Sequence, residues 1–155
     1  MPEPAVMETV SPKENKGAEM ERQLGALESS FKVDAILSIY AGQHSASPAI
    51  KRFARSIAKE SADARARLKA ISAENNIQLP VQISEDHEKG LNTLKGKRKV
   101  EFDIAYTSYI KDFLENRRAI LEKIMETSEP ESLVALAASQ NKNVNRQLKA
   151  VKTLR

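Results

Sequence analysis

Apolar residues recur along this chain at helical spacing, most regularly over residues 47–76. Within that stretch they return every three or four positions, which places them on one face of a helix. Ser47 can cap the first free amides of this helix, and Pro48 suits its first turn. Ser61 is the one polar residue on the predicted buried face, whose members are Ile50, Phe53, Ile57, Ser61, Ala64, Leu68 and Ile71.

The same spacing predicts three more long helices and one short helix. The first long helix runs from about residue 17 to 42, with a kink or break near residues 31–34, where the apolar stripe changes phase. The short helix covers about residues 84–94, and Ser84 provides its N-cap. The other two long helices cover about residues 100–126 and 128–154. Ser128 and Glu131 have the spacing of a capping box at the start of the last one.

These elements predict an all-α fold. Four long helices joined by short links favour an antiparallel four-helix bundle, with the short helix between the second and third long ones. No segment shows the alternation that is typical of a β-strand. Residues 1–16 contain three prolines and no periodicity, so we expect a disordered N-terminal arm before a helical domain over residues 17–155.

The composition excludes several kinds of site. Cysteine is absent, which excludes disulfides, thiolate zinc sites and a cysteine nucleophile. The two histidines, His44 and His87, are too few for a histidine-rich metal centre within one chain. No stretch approaches the roughly 20 apolar residues of a membrane span. Residues 1–16 show no apolar core of a signal peptide, which fits either a cytosolic protein or a chain whose leader has been removed.

Two inner positions of the predicted helices are polar and long. Arg117 and Gln140 lie on the stripes that face the core. They indicate either a polar contact between helices or a seam that turns outward to meet another chain. We keep both explanations.

The net charge of +4 is unevenly distributed. Basic residues are concentrated at residues 95–99 and towards the C-terminus. Clusters of this kind can bind nucleic acid or an anionic surface, but we favour a solvated helix face and a favourable charge at a helix C-terminus. The candidate basic surface consists of Lys95, Lys97, Arg98, Lys99, Lys142, Arg146, Lys149 and Lys152.

Carboxylates are the other candidates for chemistry. Glu60 and Asp103 can approach each other in a bundle, but two acids without a histidine form a poor transition-metal site, and no Glu-x-x-His motif is present. Asp103 with Tyr106 can form an acid–phenol pair for proton transfer. We favour a capping role for Asp103, and a core position for the Tyr106 ring. We expect His44 to lie at the end of a helix and His87 in a solvated first turn.

Several short motifs, taken in their order, resemble a bacterial family of unknown function. Its members have a ferritin-like helical bundle and are often described as outer-membrane or periplasmic proteins. The resemblance covers roughly residues 20–154. It is carried by SPAIKRFA at 47–54, IAKES at 57–61, IQLP at 77–80, LKG at 94–96, FDIAY at 102–106 and VNRQL at 144–148.

The sequence departs from that family pattern at three positions. The family usually has Asp-His where this chain has Glu60 and Ser61, a second histidine near Phe113 or Leu114, and a third at Gln147. Of the polar family positions, only Asp103 and Tyr106 match. The resemblance therefore implies that any histidine site of the relatives is lost here.

We therefore expect a ferritin-like bundle that is not an enzyme, holds no cofactor or metal, and acts through its surface on an unidentified protein partner. By resemblance it is associated with the bacterial envelope or periplasm, with the cytoplasm as the alternative. It is expected to be a monomer or a weak homo-oligomer. One alternative function is metal or oxygen handling, which requires Glu60, Asp103 and Tyr106 to converge. The other is binding of nucleic acid or an anionic surface, which requires one continuous basic face.

Overall fold

The computed structural model describes residues 12–127 and 129–155. Within them the chain forms five helices and no strand: α1 Pro12–His44, α2 Pro48–Glu74, α3 Glu85–Lys95, α4 Lys99–Met125 and α5 Glu131–Val151. This confirms the predicted all-α class and the short helix between the second and third long ones. The predicted arm falls partly on residues 1–11, which lie outside the described residues, as does Ser128 of the predicted capping box. α1 begins five residues before the predicted start at residue 17.

The predicted caps hold two of the helices at their N-termini. The Ser47 hydroxyl accepts a hydrogen bond from the amide of Ile50 at 3.2 Å, and Pro48 is the first residue of α2. The Ser84 hydroxyl accepts one from the amide of His87, also at 3.2 Å. Each cap satisfies one of the backbone donors that a helix leaves free in its first turn.

The core lies between the four long helices. α1 packs against α2 and α4, α5 packs against the same two helices, and α3 lies against α1 and α4. Every long helix contributes side chains with no solvent exposure, among them Leu27, Leu68, Leu114 and Leu136. Burial of an aliphatic side chain of this size stabilises a fold by about 1.5–3 kcal/mol.

α1 is continuous, so the predicted break near residues 31–34 is not present. The apolar stripe changes phase there because polar side chains occupy inner positions. Ser30 and Asp34 are 2% and 1% exposed, at the helical spacing set by Leu27, Leu37 and Ala41. The interior of the protein therefore contains polar groups that must find partners on other helices.

Candidate functional site

The structure separates the two carboxylates that the sequence singled out. Asp103 accepts hydrogen bonds from the Ser45 hydroxyl at 2.5 Å and the Ala46 amide at 3.1 Å, and so it caps the turn between α1 and α2. Glu60 lies fourteen residues beyond Ala46, mostly along α2, which at 1.5 Å per residue is about 20 Å away. It accepts instead from Gln147 at 2.6 Å and from Arg146 at 2.7 Å, with which it forms an ion pair.

Tyr106 does not join either carboxylate in a proton-transfer pair. Its ring is 1% exposed and stacks on Phe102, with the ring centroids 5.8 Å apart. Burial, and to a lesser extent the nearby Asp34 carboxylate, raise the pKa of its hydroxyl well above the ordinary value of 10. Glu60, Asp103 and Tyr106 therefore do not converge, and the part of the chain that the structure describes has no cluster of three or more His, Asp or Glu side chains suited to a metal ion.

A buried ion pair lies instead between α1 and α4. The Arg117 guanidinium donates from Nη2 to Asp34 Oδ2 at 2.7 Å and to the Ser30 carbonyl at 2.8 Å. Its Nε donates to the Ser30 hydroxyl at 3.0 Å. Arg117 is 2% exposed, so this is an interhelical contact within one chain. For Arg117 the structure therefore supports a polar contact between helices, the first of the two explanations given for a polar residue on this stripe.

Two further contacts hold this pair in place. The Ser61 hydroxyl donates to Asp34 Oδ2, which explains the polar residue on the otherwise apolar face of α2. The Arg117 guanidinium carbon lies 5.0 Å from the ring centroids of both Phe31 and Phe113. Aromatic faces attract a cation, and here they take the place of water around it.

Burial raises the pKa of Asp34 above its ordinary value of 3.8. The attraction of Arg117 and the hydrogen bond from Ser61 lower this pKa, but the loss of hydration is the larger effect. The second carboxylate oxygen, Oδ1, is buried and accepts no hydrogen bond from the described residues. It is therefore the atom on which a proton is best accommodated.

We expect Asp34 to make stability depend on pH. Its pKa is higher in the folded chain than in the unfolded chain, so the folded state binds the proton more tightly. The contribution of Asp34 to the free energy of unfolding is therefore constant above the raised pKa, and it increases as pH falls from there towards about 3.9. Urea unfolding of the wild type and Asp34→Asn at several pH values measures this contribution as their difference. We expect the free energy of unfolding of the wild type, minus that of Asp34→Asn, to become more positive on acidification. A fall in this value contradicts the raised pKa.

A pocket of ≈ 380 Å³ opens beside this ion pair, between α1, α3 and α4, and we refer to it as the Arg117 pocket. Buried and exposed polar groups share its wall: the Arg117 guanidinium lies at the inner side, and carboxylates lie at the solvent side. Its polar wall includes Asp86, His87, Tyr109, Asp112, Asn116 and Arg117.

His87 is part of this wall. The first turn of α3 is exposed at Glu85, Asp86 and Glu88, as expected, but His87 itself is half-buried. Its Nδ1 lies 2.6 Å from the Ser29 hydroxyl, and its ring meets Phe113 edge-on with centroids 5.3 Å apart. The Ser29 oxygen also accepts from the Ser84 amide at 2.8 Å. Burial and the positive charge of Arg117 lower the pKa of His87 below 6.5. The neutral ring is therefore the main form at pH 7.

His44 is the last residue of α1, which confirms its predicted place at the end of a helix, and it is largely buried there. It is 9% exposed and packs against Phe102, with ring centroids 5.9 Å apart. Arg98, from the predicted basic surface, donates from Nη1 to His44 Nδ1 at 2.6 Å. One cation of the cluster at residues 95–99 thus contacts the C-terminal end of α1, although Arg98 itself is exposed.

A second concave feature, of ≈ 1140 Å³, runs between the outer faces of α4 and α5, and we refer to it as the α4–α5 groove. Its wall has five cations, Lys111, Arg118, Arg146, Lys149 and Lys152, and one acid, Glu115. Its apolar side chains are Ile104, Leu148, Val151 and Leu154. Arg146, Lys149 and Lys152 belong to the predicted basic surface. The other five predicted residues, Lys95, Lys97, Arg98, Lys99 and Lys142, do not line the groove.

Comparison with known families assigns the chain. A family model named DUF4142, a domain of unknown function, matches residues 11–154. The chain belongs to the DUF4142 family. Neither the curated proteins nor the solved structures contain a match to it.

The resemblance implies histidine in relatives at Ser61, at Phe113 or Leu114, and at Gln147, and in this DUF4142 domain three of these residues contact polar side chains. Ser61 bonds to Asp34, and Phe113 lies against the Arg117 guanidinium. Gln147 donates to Glu60. The polar centre of this member is thus made of an Arg–Asp pair and amide or hydroxyl groups.

No described helix of this DUF4142 domain has both the length and the apolar composition of a membrane span.

Sequence reasoning missed Lys111 and Arg118 of the groove. A signal was available, because residues seven apart lie on the same helix face, and on α4 this face borders the core stripe, with Leu114 one turn from each residue.

Proposed function

We propose that this DUF4142 domain is a non-enzymatic binding module, and that its α4–α5 groove takes an acidic, amphipathic helix of a partner protein. The observation that supports this is the wall of the groove, where five cations and one acid surround four apolar side chains. Opposite charge gives specificity and speeds association, and apolar contact supplies affinity. An amphipathic helix with acidic flanks offers both in a shape that a groove accepts.

Two other anionic partners fit the groove less well. Nucleic acid needs cations for its phosphates and aromatic faces for unpaired bases, but no aromatic residue lines this groove. An anionic membrane presents a flat surface, whereas the apolar side chains here lie in a concave one. We therefore commit to a protein helix and treat the others as outcomes of the test.

The remaining features of the proposal follow the family resemblance. We propose that the four long helices form an antiparallel, ferritin-like bundle, and that the protein is bacterial and associated with the envelope or periplasm. It acts as a monomer or weak homo-oligomer and needs no cofactor. Metal or oxygen handling is the weaker alternative, because Asp103 and Glu60 are held by different partners about 20 Å apart along α2.

Charge reversal in the groove tests the proposal. The probe is a synthetic helical peptide with leucines at positions i, i+3, i+4 and i+7 and glutamates on both flanks. We expect it to bind the wild type, and Lys111→Glu, Lys149→Glu and Lys152→Glu combined to weaken binding by at least about tenfold, since charge pairs across an interface are lost. Fluorescence anisotropy of the labelled peptide measures the affinity.

The matched control reverses three exposed cations outside the groove, namely Arg52, Lys59 and Lys69 of α2. This control variant has the same change in net charge as the groove variant. We expect it to bind the peptide with an affinity within about twofold of that of the wild type. Equal loss in both variants, or tighter binding of duplex DNA or anionic vesicles than of the peptide, overturns the proposal.

A further inference from the structure

The Arg117 guanidinium has one nitrogen that the protein does not use. Nε and Nη2 donate to Ser30 and Asp34, but Nη1 donates to no atom of the described residues. The side chain is 2% exposed and forms part of the wall of the Arg117 pocket. Nη1 is not one of the fully buried polar atoms without a partner, so a ligand oxygen that reaches it replaces water with a charge-assisted hydrogen bond.

Carboxylates lie on the other side of the same pocket. Asp86, in the first turn of α3, and Asp112, on α4, both line it. Neither forms an ion pair with a cation of the described residues. His87 is affected by charges of both signs, because Arg117 lowers its pKa and Asp86 raises it. The pocket thus has a positive inner side and a negative outer side.

Neutral donors complete the positive side. The Tyr109 hydroxyl keeps its proton, because burial and the Asp34 charge raise its pKa to about 12. The ring is held between Phe113, on which it stacks at 5.6 Å between centroids, and the backbone of Gly90. The His87 ring, which also lines the pocket, offers a second group capable of hydrogen bonding. Such donors can bind the carboxylate of a ligand, and Asp86 and Asp112 can then bind an ammonium group of the same ligand.

We propose that the Arg117 pocket binds a free α-amino acid, with its carboxylate towards Arg117 and its ammonium towards Asp86 and Asp112. An ammonium and a carboxylate in one small molecule match the two sides of the pocket at once. A simple anion would be repelled by Asp86 and Asp112, and a simple amine by Arg117. A pocket of ≈ 380 Å³ has room for a molecule of this size.

Titration of the full chain with the common L-amino acids tests this, with propionate and ethylamine as single-charge analogues of L-alanine. The readout is the amide NMR shifts of residues around the pocket. We expect at least one amino acid to bind at millimolar concentration or below. We expect the analogue without ammonium and the one without carboxylate each to bind at least about tenfold more weakly, since each lacks one charge-assisted contact.

Asp86→Asn is the decisive variant, because Asp86 is exposed in the first turn of α3 and its replacement leaves the core intact. Glu85→Gln is the matched control, with the same charge change in the same turn outside the pocket wall. We expect about a tenfold loss of amino-acid affinity in the first and no loss in the second. Equal loss in both variants, equal binding of propionate, or binding of no amino acid overturns the proposal.

Discussion

Replacing Arg117 with methionine is expected to lower the free energy of unfolding at pH 7 by about 3–5 kcal/mol, the usual effect of breaking a buried ion pair. The variant keeps most of the side-chain volume but leaves the Asp34 carboxylate without its cation, at 1% exposure. It also removes the donors to the Ser30 hydroxyl and carbonyl. Urea unfolding followed by circular dichroism measures the change.

The double variant Asp34→Leu, Arg117→Met separates the charge effect from packing. Because both charges are then absent, we expect it to recover most of the lost stability, as buried ion pairs replaced by apolar residues often do. Ser61 and Ser30 lose a partner in this variant, which limits the recovery by about 1–3 kcal/mol. A single variant that loses less than about 1 kcal/mol contradicts the importance assigned to this pair.

Gly90→Ala is expected to lower the free energy of unfolding by about 1–3 kcal/mol, the range of an overpacked contact. By helix propensity alone the same change would raise it by about 1 kcal/mol. The sign reverses because an added Cβ would lie 2.5 Å from Cε1 and 2.8 Å from the hydroxyl oxygen of Tyr109. The ring must move away from the wall of the Arg117 pocket, or α3 must shift from α4.

Gly42→Ala is the matched control for this change. Gly42 also lies within a helix, α1, but no atom comes within 4 Å of an added Cβ. We expect a gain of up to about 1 kcal/mol there. Thermal and urea unfolding of both variants give the comparison. If both are stabilised, Tyr109 is free to move and does not form a fixed wall.

The periodicity of apolar residues and the capping residues were sufficient to predict where the chain forms helices. The apolar spacing of α2, with Ser47 and Pro48 at its start, predicted that helix to within one residue at its N-terminus. These signals are local, because a helix satisfies its own backbone and its caps are close in sequence. The family resemblance was correct for a domain of unknown function over most of the chain.

Long-range polar contacts were the part that local signals could not supply. The change of phase in α1 was interpreted as a kink or a break, and the break is not present. A polar residue on a buried face is explained only by its partner. The partner of Asp34 is Arg117, 83 residues away along the chain. Likewise, His87 was placed in solvent because nothing near it in sequence indicates that Ser29 and Phe113 surround it.

The candidate surfaces show the same division. Arg146, Lys149 and Lys152 were predicted as basic residues from α5 alone, but the groove also needs Lys111 and Arg118 from α4. The sequence by itself determined the helical class, the number of long helices, the caps of two helices and the absence of cysteine chemistry, because these depend on neighbours within a few residues. Only the tertiary structure decided which polar groups meet inside and which cations share a groove, because those pairings depend on the packing of helices that are distant in sequence.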